Sequence, residues 1–456
     1  MTESPRGLSK EARASLLARV QTGNSAPARQ PEPLPPQGRD RSGAVDFTTL
    51  PGFDELRFQR SVADLIGIES PFFRVHETRA GATTRIDGRD FLNFASYDYL
   101  GLNGHPEVAA AAKEAIDRYG MSSSASRLVA GERPVHRDLE RRLAEHYATE
   151  DCVVMVSGHG TNVGTIGHLL GPKDLFVHDS VIHNSAALGG QLSRAERRSF
   201  PHNDLDALEA ILASNRSRYE RTLIVVEGLY SMDGDVPDLA RLVEIKQRYD
   251  AWLMVDEAHG LGVLGSTGRG VFEHFGIAPA QVDIWMGTLS KTLSGAGGFI
   301  AGSAALIEYL KCTAGAFVYS VGLSPPIAAA SDKALEIMHR EPERVTRLQA
   351  NGAFFVKTAQ ALGLDTGTGI GTAICPIMVG DSLPAAVLTH RLFLRDINVL
   401  PIIYPAVPAK ASRLRFFLTS EHTEEQIQHT LEIVAEEMPK LEATMAIVGK
   451  ALKTKS

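Results

Sequence analysis

Several short segments of this sequence place ionisable and hydroxyl side chains immediately after runs of apolar residues, where a purely structural loop would need none. One holds Ser157, Gly158, His159 and Gly160; a second runs from Glu227 to Ser231; a third holds Asp256 and His259; the last holds Thr288, Ser290 and Lys291. In a parallel α/β sheet the loops at the carboxyl ends of the strands are the ones that hold ligands. The Ser-Gly-X-Gly turn opens a helical stretch, whose first N–H groups and positive dipole end suit a phosphate dianion. Asp256 at a strand end has the chemistry to pair with a heteroaromatic nitrogen and hold it protonated, which makes the ring an electron sink. His259, three residues on, could reach an oxygen on the same ring. Lys291, flanked by small and hydroxyl residues, has the setting of a Schiff-base nucleophile, with donors beside it for a phosphate. Each segment alone has an ordinary reading: a helix-opening turn, a capping or metal-ligating Asp256, a solvated Lys291. Together they match what pyridoxal 5'-phosphate (PLP) requires.

The elements that must position these residues follow from hydrophobic periodicity. Helical spacing covers residues 107–119 and 134–148. Apolar, β-branched runs then alternate with helical stretches, at 152–157, 174–177, 222–227, 252–256, 284–286 and 298–301. Continuous apolar strands separated by helices predict an α/β fold whose sheet is parallel over most of its width and covered on both faces. Beyond about residue 330 the pattern changes to a helix, shorter strands at 373–379, 399–403 and 413–418, and a closing helix opened by the capping box Thr423 to Gln426. The expected organisation is therefore an extension over 1–50, an N-terminal segment over 51–105, a large domain over 106–330 and a smaller α+β domain over 331–456.

The first fifty residues differ from the rest. Leu8, Ala12, Leu16 and Val20 fall on one face of a short helix, with Ser9 as its cap, and a run rich in Pro, Gln and Arg follows over 26–41. That run cannot pack a core and reads as a linker. The segment is either a plain tail or a docking helix on a tether.

Composition excludes several function classes. Of 456 residues, 44% are hydrophobic and 22% charged, the balance of a soluble globular protein, and the net charge of −7 comes without the basic face that a nucleic-acid surface needs. No apolar run approaches the roughly 20 residues of a membrane span. No hydrophobic run follows the basic residues at the N-terminus, so no secretory signal is expected there. Cys152, Cys312 and Cys375 lie too far apart for a disulfide framework or metal spacing and read as core thiols of a cytoplasmic protein.

The ordered set of His183, Glu227 to Ser231, Asp256 to His259 and Thr288 to Lys291 resembles the α-oxoamine synthase family of fold-type I PLP-dependent transferases. The resemblance runs from about Asn93 to Leu431, with outer markers at Asn93 to Gly101, Arg127 to Gly131, and Arg413 to Arg415. It implies that Lys291 carries PLP and moves the Cα proton, that Asp256 pairs the ring nitrogen, and that His259 bonds the ring oxygen. It further implies that His183 stacks on the ring, that Ser231 and Thr288 contact ring and phosphate, and that Ser157, Gly158 and His159 form the phosphate turn. Glu227 opens the second cofactor segment. Arg415 resembles the arginine that takes an amino-acid carboxylate, a task suited to a guanidinium. Arg74 stands where some members place an arginine near the acyl thioester. Tyr97 replaces an Asn found in many members, in a motif more like serine palmitoyltransferase subunits and synthases tied to polyketide assembly. The family also draws a phosphate hydroxyl from a neighbouring subunit, which here would be Ser320 or Ser324.

The implied reaction joins an amino acid to an acyl thioester with loss of carbon dioxide, giving an α-amino ketone. The implied partners are those two substrates, a second copy of the chain as a homodimer, and an acyl carrier protein as a possible donor in place of CoA. A fold-type I aminotransferase is the alternative, but would place Tyr rather than His259 against the ring oxygen. A PLP-binding transcription regulator would need several N-terminal helices, and a silent partner subunit would lack Lys291.

Overall fold

The computed structural model describes residues 46–445 apart from 51, 55, 56 and 58–66. The helix expected over residues 8–20 and the linker over 26–41 lie outside the described residues. The first strands, β1 (Thr83–Ile86) and β2 (Arg89–Asn93), form a hairpin. It turns at Asp87 and Gly88, whose φ values of 50° and 72° are the left-handed pair that two-residue hairpin turns favour.

The centre of the molecule is a seven-stranded sheet. In chain order its strands are β3 (Asp151–Met155), β4 (Leu175–Asp179), β5 (Glu196–Phe200), β6 (Thr222–Glu227), β7 (Trp252–Asp256), β8 (Ile284–Thr288) and β9 (Gly298–Gly302). In space the order is β3-β9-β8-β7-β6-β4-β5. Pairings among β8, β7, β6, β4 and β5 are parallel, while β9 runs antiparallel to both its neighbours. The expected α/β fold with a mostly parallel sheet is observed. Every residue of β6 is buried because successive side chains enter opposite layers: Ile224 and Val226 join one apolar cluster, Leu223 and Val225 the other. That two-sided burial is why the strand reads as an unbroken apolar run.

Expected and observed strands agree at both ends for β6 and β7 and within a residue or two for the others. Outside the central sheet β1, β2 and the short strand Ile397–Asn398 were not expected, and within it the exception is β5, which no apolar run announces. Its sequence, Glu-Arg-Arg-Ser-Phe, buries only Phe200, and it lies at the edge of the sheet, where charged side chains can face solvent and discourage further pairing.

The C-terminal region contains β10 (Ile374–Gly380), β11 (Ile397–Asn398), β12 (Leu400–Ile402) and β13 (Ser412–Phe417). β10, β13 and β12 form an antiparallel sheet that meets helices Ser382–Leu394 and Glu343–Ala361, and helix Glu424–Glu437 packs on those two helices. The expected capping box is present: the Thr423 hydroxyl accepts from the Gln426 amide at 3.2 Å, and the Gln426 side chain accepts from the Thr423 amide at 3.0 Å. β11 pairs in parallel with β2, so the early hairpin is stitched to this C-terminal region. Cys152 and Cys375 are buried as expected, but Cys312 is exposed on the helix Ala304–Thr313 and is no core thiol. Among the described residues no helix is long and apolar enough to cross a membrane.

Candidate active site

The carboxyl ends of β3, β6, β7 and β8 open into one cavity of about 330 Å³, within the range of small-molecule sites. Ser157, Gly158, His159, His183, Glu227, Asp256, His259, Thr288 and Lys291 all line it. Residues spread over more than a hundred positions converge because each ends a strand of the same sheet or lies in the loop or helix start that follows one.

Asp256 closes β7 with its carboxylate buried. One oxygen accepts from the Ala258 amide at 2.9 Å, the other from Asn162 Nδ2 at 2.8 Å. Asn162 sits on the helix Gly158–Leu169 and also donates to Ser185 Oγ at 3.0 Å, so Asp256 is held from both sides of the sheet end. His183 caps the helix Asn184–Ser193 and shares a 2.7 Å hydrogen bond between Nδ1 and Ser185 Oγ. Burial pulls its pKa below the usual histidine value, favouring the neutral imidazole.

His259 is buried, and its pKa is driven well below the ordinary value by burial and then by the positive charges of Lys291 and Arg415. Its Nδ1 lies 2.6 Å from the hydroxyl of Tyr99, a fully buried phenol whose pKa burial raises. Lys291 is itself nearly enclosed. Burial lowers its ammonium pKa against the opposing pull of the Asp256 and Glu227 carboxylates. Its Nζ lies 5.4 Å from the centre of the Tyr97 ring, which makes a tilted edge contact with Phe417 at 4.8 Å.

At the phosphate end, Ser157 accepts from the Gly160 amide at 3.1 Å and caps the helix, whose first N–H groups have no intrahelical acceptor. A Cβ built on Gly158 would stand 2.8 Å from Thr288 Oγ1, so glycine is required for this close approach. Thr288 donates its hydroxyl to Gly297 O at 2.8 Å and lies 2.8 Å from Ser290 Oγ. With the Thr288 proton committed to a carbonyl, the hydrogen between the two hydroxyls comes from Ser290, which also lines the cavity and would have to turn that hydrogen away from Thr288 to donate to a ligand.

Glu227 ends β6 fully buried. Burial, reinforced by Asp256, pushes its pKa up to about 8, so it is mostly protonated near neutrality; one oxygen accepts from the Ser231 amide at 3.1 Å and the other has no partner. Ser231, Arg415 and Tyr97 stand just outside the cavity lining. Arg415 on β13 donates through Nη1 to Ser231 O at 2.8 Å and lies 4.5 Å over the Phe417 ring, while its buried Nε has no partner. Arg74 is elsewhere: its guanidinium stacks 3.5 Å from the Phe393 ring and donates to Asn398 Oδ1 at 3.0 Å, and it does not line the cavity. Ser324 donates to Met121 O at 2.6 Å, and neither it nor Ser320 lines the cavity.

These residues fit PLP. The cavity pairs a bare glycine turn at a helix start with a buried carboxylate and a buried amine, and it contains polar atoms without protein partners, Asn162 Oδ1 and Glu227 Oε1. Buried polar atoms left unpaired by protein are expected where a ligand completes them. Sequence reasoning passed over Tyr99 and Asn162. Tyr99 lies within the marker Asn93 to Gly101, so it carried a signal; Asn162 had none, standing 94 residues from the aspartate it holds.

Comparison with known proteins agrees with this geometry. The family described as aminotransferase class I and II matches residues 89–434. An 8-amino-7-oxononanoate synthase of Methylococcus capsulatus is 40% identical over 80% of this chain and 94% of its own length. One of Geobacter sulfurreducens is 41% identical over 84% and 96%. The structure of Sphingomonas wittichii serine palmitoyltransferase superposes with a TM-score of 0.82 at 29% identity, covering 88% of this chain and all of that one. An 8-amino-7-oxononanoate synthase from Francisella tularensis gives 0.67 at 29% identity, covering 77% and 98%. With its fold, its cavity and these relatives in agreement, the chain belongs to the α-oxoamine synthases, PLP-dependent C-acyltransferases within the aminotransferase class I and II family.

Proposed function

We propose that this enzyme joins the Cα of an amino acid to the carbonyl carbon of an acyl thioester, releasing the thiol and carbon dioxide and leaving an α-amino ketone. The observation that carries the reading is the convergence of an enclosed amine, Lys291, with a doubly anchored carboxylate, Asp256, and a neutral imidazole, His259, on one cavity. When bound, PLP supplies a conjugated ring that spreads the negative charge left at Cα. Lys291 Nζ, whose charged form burial disfavours, takes the Cα proton and later returns one. Asp256 holds a proton at the ring nitrogen. Arg415, with Nε unpartnered, binds the amino-acid carboxylate and orients it. Ser157, Gly158, His159 and Ser290 form the phosphate cradle; Thr288 stabilises it from behind through Gly297.

Serine with a palmitoyl thioester, the pair named by one structural relative, is the first pair to assay. Release of both carbon dioxide and free thiol is expected; amino-group transfer to a keto acid without thioester consumption would reverse the reading in favour of an aminotransferase. Borohydride reduction of the holoenzyme followed by peptide mass mapping should place the pyridoxyl group on Lys291, and label on another lysine overturns that assignment.

Two finer readings complete the proposal. The enzyme acts in the cytoplasm as a homodimer, with Ser320 of one copy reaching the phosphate of the other. Met121, Leu128, Val129, Tyr319 and Val321 are exposed, and the segments that bear them are joined by the Gly322 amide on Ala125 O at 2.9 Å, which makes one apolar patch suited to a second copy. A fully active monomer by light scattering would overturn this. The acyl group arrives on a carrier protein, with residues 1–45 as the tether that raises its local concentration. A truncation starting at Val45 should raise KM for the carrier-borne substrate and leave acyl-CoA turnover unchanged; equal KM values overturn it.

A further inference from the structure

Away from the cavity, His202 stands between two carboxylates. Its Nδ1 lies 3.1 Å from both oxygens of Asp179, at the end of β4, and its Nε2 lies 3.0 Å from Asp235 Oδ2, in the loop after β6. A neutral imidazole has one N–H and would turn a lone pair on one of these carboxylates. Only the imidazolium satisfies both. The groups facing it are Asp179, Asp235, the side-chain amide of Asn203 with Nδ2 3.4 Å from Nε2, the ring of Tyr230 edge-on at 4.5 Å, and Thr368 of the C-terminal region, whose hydroxyl donates to Asp235 Oδ2 at 2.9 Å. Burial pulls the His202 pKa down, but the hydrogen bonds and charges of Asp179 and Asp235 outweigh it and hold it at about 10.

Each carboxylate leads to a different part of the cavity wall. Asp179 organises the turn that presents His183: its Oδ1 accepts from the Val181 amide at 2.9 Å and its carbonyl from the Ile182 amide at 3.2 Å. Asp235 ends the loop that β13 grips. Arg415 donates to Ser231 O, Arg413 pairs with Asp233 and donates to Met232 O at 3.1 Å, and the Ile370 amide donates to Gly234 O at 3.1 Å. We propose that the charged His202 is a positioning residue that ties the loop holding Arg415 to the β4 end holding His183, and so sets where the amino-acid carboxylate is bound. The inference rests on the Arg415 reading above.

Removing the imidazolium leaves Asp179 and Asp235 as facing like charges. Asp179 keeps the Val181 and Asn203 amides, so the loop that carries Asp235 is the part that gives way, and Arg415 goes with it. His202→Gln should therefore raise KM for the amino acid about tenfold or more, with KM for the thioester unchanged and kcat within about threefold. Adding Asp235→Asn in that background removes the repulsion and should restore part of the amino-acid KM. In the resting enzyme, ¹⁵N resonances of His202, assigned by their loss in His202→Gln, should report both ring nitrogens protonated up to about pH 9, unlike an ordinary histidine. If His202→Gln does not fold, Asp235→Asn alone carries the test: it should lower the imidazolium pKa and raise the amino-acid KM selectively. A neutral His202 at pH 8, or equal losses on both substrates, overturns the clamp. Arg415→Lys is measured alongside. If it raises the amino-acid KM and His202→Gln does not, the clamp alone is overturned; if it leaves that KM untouched, the Arg415 reading falls and the clamp with it.

Discussion

The hydroxyl of Tyr99 lies 2.6 Å from His259 Nδ1, and this is the only hydrogen bond either atom makes among the described residues. Burial keeps the phenol protonated and the imidazole neutral. The phenol therefore donates, Nδ1 accepts, and the one imidazole proton is fixed on Nε2. A ring oxygen in the cavity then meets a donor and not a lone pair. Tyr99→Phe releases that choice of tautomer. A kcat loss of about fivefold to tenfold is expected, the worth of roughly one buried hydrogen bond, with a shifted cofactor absorption maximum. An unchanged spectrum and rate would show that Tyr99 does not set the tautomer.

Asp256→Asn tests the opposite edge of the cavity. The amide can keep the Ala258 contact but cannot hold a ring nitrogen protonated. A kcat loss of about 100-fold or more is expected, the scale of removing one preorganised charge partner, with PLP still bound by absorbance. Turnover near the native rate would remove the charge role of Asp256.

Gly158→Ala tests the cradle. The new methyl would stand 2.8 Å from Thr288 Oγ1 and 3.4 Å from Gly297 O. To make room, the Thr288 side chain or the turn must shift, so PLP affinity should fall about tenfold while the fold survives, a cost of roughly 1–2 kcal/mol for a modest overpacking. Dialysis against buffer followed by measurement of retained PLP decides this; retention equal to the native enzyme counts against a tight cradle.

Glu257 offers a test by pH. It is fully buried, accepts from the Val271 amide at 2.7 Å through one oxygen, has no partner for the other, and burial pushes its pKa up to about 8 from 4.5. Between those values the folded protein keeps a proton that the unfolded chain releases, so this group's contribution to stability falls as pH rises through the window. Glu257→Gln has the shape of the protonated acid and does not titrate. Its stability should match the native protein below about pH 5 and exceed it above pH 8, by about 1–3 kcal/mol, the range for a buried polar group without a partner, and its Tm should rise accordingly. Parallel Tm curves across that range would exclude the effect.

The β6 and β7 boundaries were legible because their apolar runs stop where Glu227 and Asp256 begin, and those same residues line the site. Strand direction was not legible: the run at β9, Gly-Phe-Ile-Ala-Gly, would read the same in either orientation. The pairing of β2 with β11 joins Asn93 to Asn398, and no local pattern announces a contact across that separation. The cofactor-facing residues announced themselves by standing where a structural loop needs no charge. Asn162 and His202 did not, because they act on other protein groups and their partners are set by the sheet order.

The reversed direction of β9 has a consequence for exchange of the chain with solvent. A parallel neighbour would need a long crossover, but β8 returns directly into β9, so the loop bearing Lys291 is stapled at both ends. The Leu289 amide donates to Gly297 O at 2.9 Å, the Gly295 amide to Leu289 O at 2.7 Å and the Ser294 amide to Lys291 O at 3.0 Å, while Thr292 Oγ1 donates to Leu261 O at 2.7 Å. Deuterium should enter these amides only when the central sheet itself opens, with or without PLP. All of these bonds run to protein groups, so the sheet and its loop, not a ligand, hold the lysine backbone in place.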